Sequence, residues 1–237
     1  MKRFLDILIS FVALVVLSPI FVIIMLAIVL ETPGKPIYAS TRIGKNCRKY
    51  KFFKFRTMSN SADKQLDNLQ HQNSYITNET VPKNLHLPLS TTDIILYADN
   101  YKVNEDAYLN EVEKQHVACF IKVERDPRIT KVGNFLRKTS LDELPQLVNI
   151  LRGDMSFVGN RPLSMAESEL LTNDIDGIRF AASAGMTGLW QIQPDKDSMP
   201  PEKRRRLDIE YARRECLSLD TKIFFATFIK VFRKGNV

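Results

Sequence analysis

A helix-rich α+β fold carrying an N-terminal re-entrant membrane helix pair is what this 237-residue chain predicts, and three features predict it. Phe4 to Leu30 is apolar apart from Asp6, Ser10 and Ser18, and Pro19 breaks it in the middle. Pro36 to Met58 alternates basic and aromatic residues, which suggests short strands or an extended crossing of the domain's face. Helix-periodic apolar stripes follow, at Leu144 to Leu151 and again at Leu219 to Arg233.

The N-terminal segment comes first. As one straight helix its roughly 27 residues would reach ~40 Å, enough for a hydrocarbon core of ~30 Å. Pro19 argues for a break, because its ring lacks an N–H and clashes with the carbonyl of Val15, while Ser18 is available to satisfy part of the freed backbone. Each half is then about 14 residues, or ~20 Å, and cannot cross alone. Lys2 and Arg3 precede the segment and Lys35, Arg42, Lys45, Arg48, Lys49 and Lys51 follow it, so the positive-inside rule places both flanks in the cytoplasm. A helix-break-helix hairpin hinged at Ser18-Pro19 satisfies both. No small-residue cleavage site follows, so the segment is expected to be retained.

Thr32 to Pro36 reads as a turn. Within the strands that follow, Lys54 and Arg56 either face water and headgroups or neutralise a phosphorylated ligand. From Ser59 to Glu124 the composition turns acidic and rich in Asn, Gln and Thr. His71, His86 and His116 all lie there without metal-ligand spacing, so surface or locally packed histidines are expected. The chain divides accordingly into a membrane segment, 1–31, a main domain, 32–58 with 125–237, and an acidic polar, partly helical insertion, 59–124.

Arg137 to Pro162 is the densest stretch. Ser140 is positioned to cap a helix with Glu143 three residues on, Pro145 in its first turns and Gly153 at its end. On residue type alone, Asp142 and Glu143 at such a start serve the cap and the helix dipole. At the C-terminus, Phe224, Phe225, Phe228, Ile229 and Phe232 between Lys222, Lys230 and Arg233 fit either a core helix or an amphipathic helix at a membrane surface.

The formal net charge of +7 and pI near 9.3 suggest a polyanionic partner, whether nucleic acid, anionic lipid or phosphorylated substrate. Cys47, Cys119 and Cys216 offer neither a disulfide framework nor a zinc pair, and a reducing cytoplasmic setting is the default. No Walker or Rossmann glycine fingerprint is present, so no separate nucleotide-binding domain is expected.

Three motifs in order, KYKFFKFRTM (Lys49 to Met58), DPRITKVGNFLRKTSLDELPQLVNILRGDMSFVGNRP (Asp126 to Pro162) and GMTGLWQ (Gly185 to Gln191), resemble the bacterial sugar transferases known as monotopic phosphoglycosyl transferases. The resemblance runs from Lys2 to about Val231, interrupted between Met58 and Asp126, and it includes Ser-Pro at the membrane break. It implies transfer of a sugar-1-phosphate from a UDP-sugar to polyprenol (undecaprenyl) phosphate, releasing UMP, at the cytoplasmic face of the bacterial inner membrane. That is the first membrane step of a capsule, exopolysaccharide, O-antigen or glycoprotein pathway.

By the same resemblance Asp142 is the nucleophile, and an ionised carboxylate needs no base to attack the sugar-bearing phosphorus. The expected product of that step is an aspartyl-phospho-sugar. Glu143 is expected to hold Mg²⁺. Lys54, Arg56, Arg137 and Arg161 are the candidate phosphate-binding cations, with the helix dipole acting in the same direction. Gln146, one turn beyond Asp142, either orients the acids or is a polar residue on the helix's wet face. Trp190 either stacks on uracil or sugar or packs in the core.

The chain departs from the family at Gly159-Asn160-Arg161-Pro162, where Gly-Pro-Arg-Pro is usual. Losing a proline is expected to leave this loop more adaptable. A second departure is Ile192 to Ser198; if that loop contacts sugar or nucleotide, substrate choice is where this chain differs. A nucleic-acid partner is disfavoured, since no binding motif accompanies the charge and a carboxylate pair repels phosphate. A catalytically silent membrane scaffold is the alternative, against which Asp142 and Glu143 stand. Membrane lipids, downstream glycosyltransferases and a second copy of the chain are candidate partners.

Overall fold

A computed structural model describes residues 1–59, 95–98, 101–104, 126–165, 167–168, 176–196 and 199–234. The chain forms two compact units, Met1–Asn60 with Ile129–Val237, and Ser61–Arg128. The three histidines and Cys119 lie outside the described residues, as does most of the stretch expected to be partly helical.

In the larger unit, α1 (Lys2–Val16) and α2 (Ser18–Glu31) meet at Leu17 with a bend of 62°. No single helix among the described residues is long and apolar enough to cross a membrane; only the bent pair together has the length and composition. The break is where Pro19 predicts it. Ser18 Oγ donates to the Val15 carbonyl at 2.8 Å, taking up an acceptor that the proline leaves without its N–H partner.

Both ends of this pair are tied to the same body. Lys2 Nζ pairs with Glu215 and Asp220 at 2.7 and 2.9 Å, and Arg3 donates to the carbonyls of Ile150 and Leu151. At the other end Glu31 accepts from the backbone N–H groups of Lys131 and Val132. Asp6 and Ser10, the polar interruptions in α1, are buried, and Asp6 accepts from Phe157 N. Phe4, Leu8, Phe11, Val15, Ile23 and Leu30 face outward. α1 turns Asp6 and Ser10 inward opposite this face, whereas α2 is apolar all round and buries Ile24 and Ile28. A contiguous apolar outer face this long marks a surface that meets a membrane or a partner.

The predicted strands form as a hairpin. β1 (Ile37–Ile43) pairs antiparallel with β2 (Lys49–Phe55), and the short β6 (Leu163–Ser164) joins the free edge of β1, giving the order β2-β1-β6. In the smaller unit β3 (Ile95–Ala98) and β4 (Tyr101–Asn104) make an antiparallel hairpin. Then come α3 (Lys131–Thr139), α4 (Gln146–Arg152), β5 (Ser156–Val158) and β7 (Gly185–Thr187), the last two pairing in parallel. Two C-terminal helices, α5 (Pro201–Arg214) and α6 (Leu217–Lys234), complete the unit.

The core is assembled around α4. Leu147 and Ile150 pack with Tyr50 and Phe52 of β2, Met155 and Ala184, and α1 lays Ala13, Leu14 and Leu17 against them. A second cluster joins Ile24 and Ile28 of α2 to Phe55 and Leu136. On the far side Tyr211 and Ile223 hold α5 and α6 to Val158 and Ala182. Phe225, Phe228 and Ile229 of α6 remain exposed, so this helix is core on one face and apolar on its outer face too.

Candidate active site

The acid pair is set by a break between two helices, not by the start of one. Ser140 adopts a left-handed conformation (φ 59°) as the C-cap of α3, and Leu141 to Glu143 form a single 3₁₀ turn before Pro145 leads into α4. The expected Ser140 side-chain N-cap is therefore corrected: its hydroxyl makes no capping bond, and the residue serves to reverse the chain. Gly153 ends α4 in the left-handed region as predicted. With the acids ahead of a seven-residue helix, the charges around them carry the electrostatics rather than a long helix dipole.

One ammonium joins the two acids. Lys54 Nζ lies 2.8 Å from Glu143 Oε1 and 3.6 Å from Asp142 Oδ2. Asp142 is buried, Glu143 about one-third exposed. Burial raises the Asp142 carboxyl above its usual range, Lys54 pulls it down, Glu143 raises it and Arg137 lowers it. The buried Asn149 fixes this geometry, accepting from Phe53 N at 3.0 Å and donating to Lys51 O at 2.6 Å, which bonds α4 to the free edge of β2 next to Lys54.

Beside the pair opens a cavity of about 110 Å³. Lys54, Glu143, Gln146 and Arg161, all singled out from sequence, line it, together with Arg42 and Gln191. Gln146 is only 2 % exposed, so its reading as a wet-face residue is corrected: the helix turns it into the site. Arg42 escaped notice because it reads as one of many flanking cations. It pairs with Glu167 at 2.9 Å and stacks over Phe52. Glu167 is buried, which raises its carboxyl, but the Ser164 N–H and the charges of Arg161 and Arg42 hold it below the usual range. Gln191 sits in GMTGLWQ beside Trp190, and Trp190 itself is buried under the Arg204 guanidinium, a packing role.

Two expected cations lie elsewhere. Arg56 is not brought to the cavity: its guanidinium binds the Thr32 carbonyl and hydroxyl and the carbonyls of Ile28 and Pro33, stapling the exit of α2. The end of the strand explains this: period 2 would put Arg56 on the face of Lys54, but the strand stops at Phe55. Arg137, in the last turn of α3, donates to Thr57 Oγ1 at 3.0 Å and acts on Asp142 through its charge. Ser18 and Pro19 form the hinge already described.

The Asn160 loop is not loosened. Asn160 is 4 % exposed, and its side-chain amide donates to the carbonyls of Arg179 and Asp208 at 2.8 and 2.9 Å. The expectation of an adaptable loop is overturned because hydrogen bonds replace the restraint of the missing ring.

Among the described residues no three His, Cys, Asp or Glu side chains gather into an all-protein cation cage. Magnesium seldom uses one; it takes one or two carboxylates, substrate phosphates and waters. A partly exposed Glu143 at the rim of a cation-lined cavity, next to Asp142, fits that pattern.

Residues 1–234 match the family model described as bacterial sugar transferase. The chain is 35 % identical over 227 residues to the exopolysaccharide production protein ExoY of Rhizobium meliloti, covering 95 % of this chain and 83 % of that protein. It is 34 % identical to the UDP-galactose-lipid carrier transferase of Erwinia amylovora, and 34 % identical to the UDP-glucose:undecaprenyl-phosphate glucose-1-phosphate transferase of Escherichia coli K12. These alignments cover 100 % and 98 % of the chain but only 41 % and 40 % of those longer proteins.

Proposed function

Because the chain belongs to the bacterial sugar transferase family, we propose that it transfers a sugar-1-phosphate from a UDP-sugar to undecaprenyl phosphate, as an initiating step of exopolysaccharide or capsule synthesis. It is an undecaprenyl-phosphate sugar phosphotransferase in this reading, and its site lies at a membrane surface reached through the α1–α2 hairpin and the outer face of α6. The observation that carries the reading is a buried carboxylate, Asp142, held with Glu143 by one lysine beside a cavity bearing Arg42 and Arg161.

Asp142 attacks the sugar-bearing phosphorus of the UDP-sugar, a P–O bond forms to its carboxylate, and UMP leaves with the electrons of the broken bridging bond. An oxygen of undecaprenyl phosphate then attacks the same phosphorus, releasing the carboxylate and giving undecaprenyl-diphosphate-sugar and UMP as the two products. An anion meeting a diphosphate is repelled, so the surrounding cations must be in place beforehand. Lys54, Arg42 and Arg161 face the cavity where the diphosphate would sit, and Arg137 offsets the charge of Asp142 from behind. Glu143 would hold Mg²⁺, which supplies charge neutralisation on the phosphate oxygens when bound. Burial raises the carboxyl of Asp142 and Lys54 pulls it back toward the ionised form, and desolvation of an anionic nucleophile sharpens its attack.

The test is UMP release by the membrane-reconstituted chain with undecaprenyl phosphate and a panel of UDP-sugars. Release with one sugar and its loss in Asp142→Asn supports the reading. Silence across the panel in well-folded protein favours a scaffold.

A further inference from the structure

Asn160 is anchored through both its backbone and its side-chain amide. Its backbone N–H donates to Ser183 O at 3.0 Å and its carbonyl accepts from Gly185 N at 2.8 Å, locking it against the strand entering β7. Its side-chain amide reaches two further segments, at Arg179 O and Asp208 O. Those two residues are themselves a buried pair, with Arg179 Nη2 2.5 Å from Asp208 Oδ2 and each 4 % exposed at the side chain. The same Nη2 donates to the carbonyl of Arg161 at 3.3 Å.

The next residue in the chain, Arg161, is exposed and lines the cavity. A long side chain aimed at a ligand binds well only if its backbone is held, since immobilising its rotamers already costs free energy and a swinging backbone adds to that. Proline holds its neighbour by fixing φ, but it donates nothing. Asparagine leaves φ free and returns the N–H and an amide that bonds to the 3₁₀ turn at Asp176–Ala181 and to α5.

We propose that Asn160, together with the buried Arg179–Asp208 pair, is a positioning cluster that fixes Arg161 at the diphosphate of the nucleotide sugar by hydrogen bonds. This rests on the reading of the cavity as the UDP-sugar site. The three residues touch no reacting atom; they act through Arg161. They come from three separate stretches of sequence, so the cluster exists only in the folded unit.

The test is a double-mutant cycle on the reconstituted full chain, using the UDP-sugar it turns over best and reading KM for that sugar, kcat and thermal midpoint. Asn160→Ala is expected to raise KM about 3- to 10-fold, the loss of roughly one hydrogen bond's free energy expressed at the Arg161 contact, with kcat nearly unchanged. Arg161→Ala raises KM by more. In the double variant the Asn160 effect disappears, because its only route to substrate is gone. Arg179→Lys provides an independent arm should Asn160→Ala fold poorly: an ammonium keeps the charge facing Asp208, but the side chain ends about one atom short of Nη2, the nitrogen that reaches Arg161 O, so it too raises KM. Additive KM effects in the double variant, or a lowered midpoint with KM unchanged in both Asn160→Ala and Arg179→Lys, overturn the proposal. An Arg161→Ala enzyme with unaltered KM overturns it for a different reason, by removing the UDP-sugar assignment of the cavity itself.

Discussion

Lys54 Nζ approaches Glu143 Oε1 to 2.8 Å and still lies within 3.6 Å of Asp142, so a single cation on β2 spans a carboxylate pair on the turn before α4. With Lys54→Met the acids lose their shared counter-ion and the diphosphate loses a partner. Turnover is expected to fall about 10²-fold or more, on the scale of losing one preorganised electrostatic partner. Lys54 is about one-third exposed, so the fold should survive, and a thermal midpoint near wild type beside collapsed UMP release is the expected pattern. Unimpaired release would remove Lys54 from the site.

The two acids separate by different readouts. Asp142→Asn cannot form the acyl phosphate and should carry no sugar-phosphate mass after incubation with UDP-sugar alone, whereas wild type should gain one adduct by intact mass spectrometry. Glu143→Gln keeps the nucleophile, and its loss should appear as weakened dependence of UMP release on Mg²⁺ concentration. An adduct on Asp142→Asn would place the nucleophile elsewhere.

How far the sequence reaches is clearest at these residues. The hinge at Ser18-Pro19, the β1–β2 hairpin and the end of α4 at Gly153 follow from local chemistry and are legible. Asp142, Glu143, Lys54, Gln146 and Arg161 were marked by motif, and the structure gathers them. Ser140 misled because the same residue caps a helix from either end, and only its left-handed φ decides. Arg56 misled because a strand's end, not its alternation, set its direction. Arg42, Asn149 and the Arg179–Asp208 pair had no signal at all, since each works through a partner more than 25 residues away that only tertiary packing supplies.

The close crossing of β5 and β7 has no room for side chains. A Cβ on Gly185 would meet Gly159 N at 2.1 Å, and one on Gly159 would meet Ser183 O at 2.2 Å, backbone against backbone. Gly185→Ala should therefore lower stability by at least the ~1–3 kcal/mol of an overpacked core and displace the Arg161 loop, read as a lower thermal midpoint and lost UMP release together. Gly177, which meets nothing within 4 Å, is the control, and Gly177→Ala should be near neutral.

More than the hinge holds the N-terminus to the domain. Lys2 and Arg3 tie the start of α1 to Glu215, Asp220 and the end of α4, and those bonds oppose any movement of the N-terminus away from the domain. Pro19→Ala alone should leave an N-terminal tag on the same side of the membrane as the domain. Combined with Lys2→Ala and Arg3→Ala it should carry the tag across, as protease protection in sealed vesicles would register. Translocation by Pro19→Ala alone would show that the anchors add nothing.

Asp208 makes a prediction whose sign runs against habit. Burial raises its carboxyl to about 6 from an unfolded value of 3.8, against the pull of Arg179 and then Arg161, the charged groups that face it. Between those values the folded chain holds a proton that the unfolded chain has released. Stability from this group is therefore fully present at low pH and is lost as pH rises toward about 6. A buried pair of this kind need not stabilise, since desolvation offsets the attraction. Asp208→Asn cannot titrate, and every other group titrates in both proteins and cancels in the difference. The thermal midpoint of wild type minus that of the variant should shift against wild type from about pH 4 to about pH 7. A difference that holds level, or moves toward wild type, would mean that Arg179 keeps Asp208 ionised throughout and that the attraction across 2.5 Å outweighs the burial.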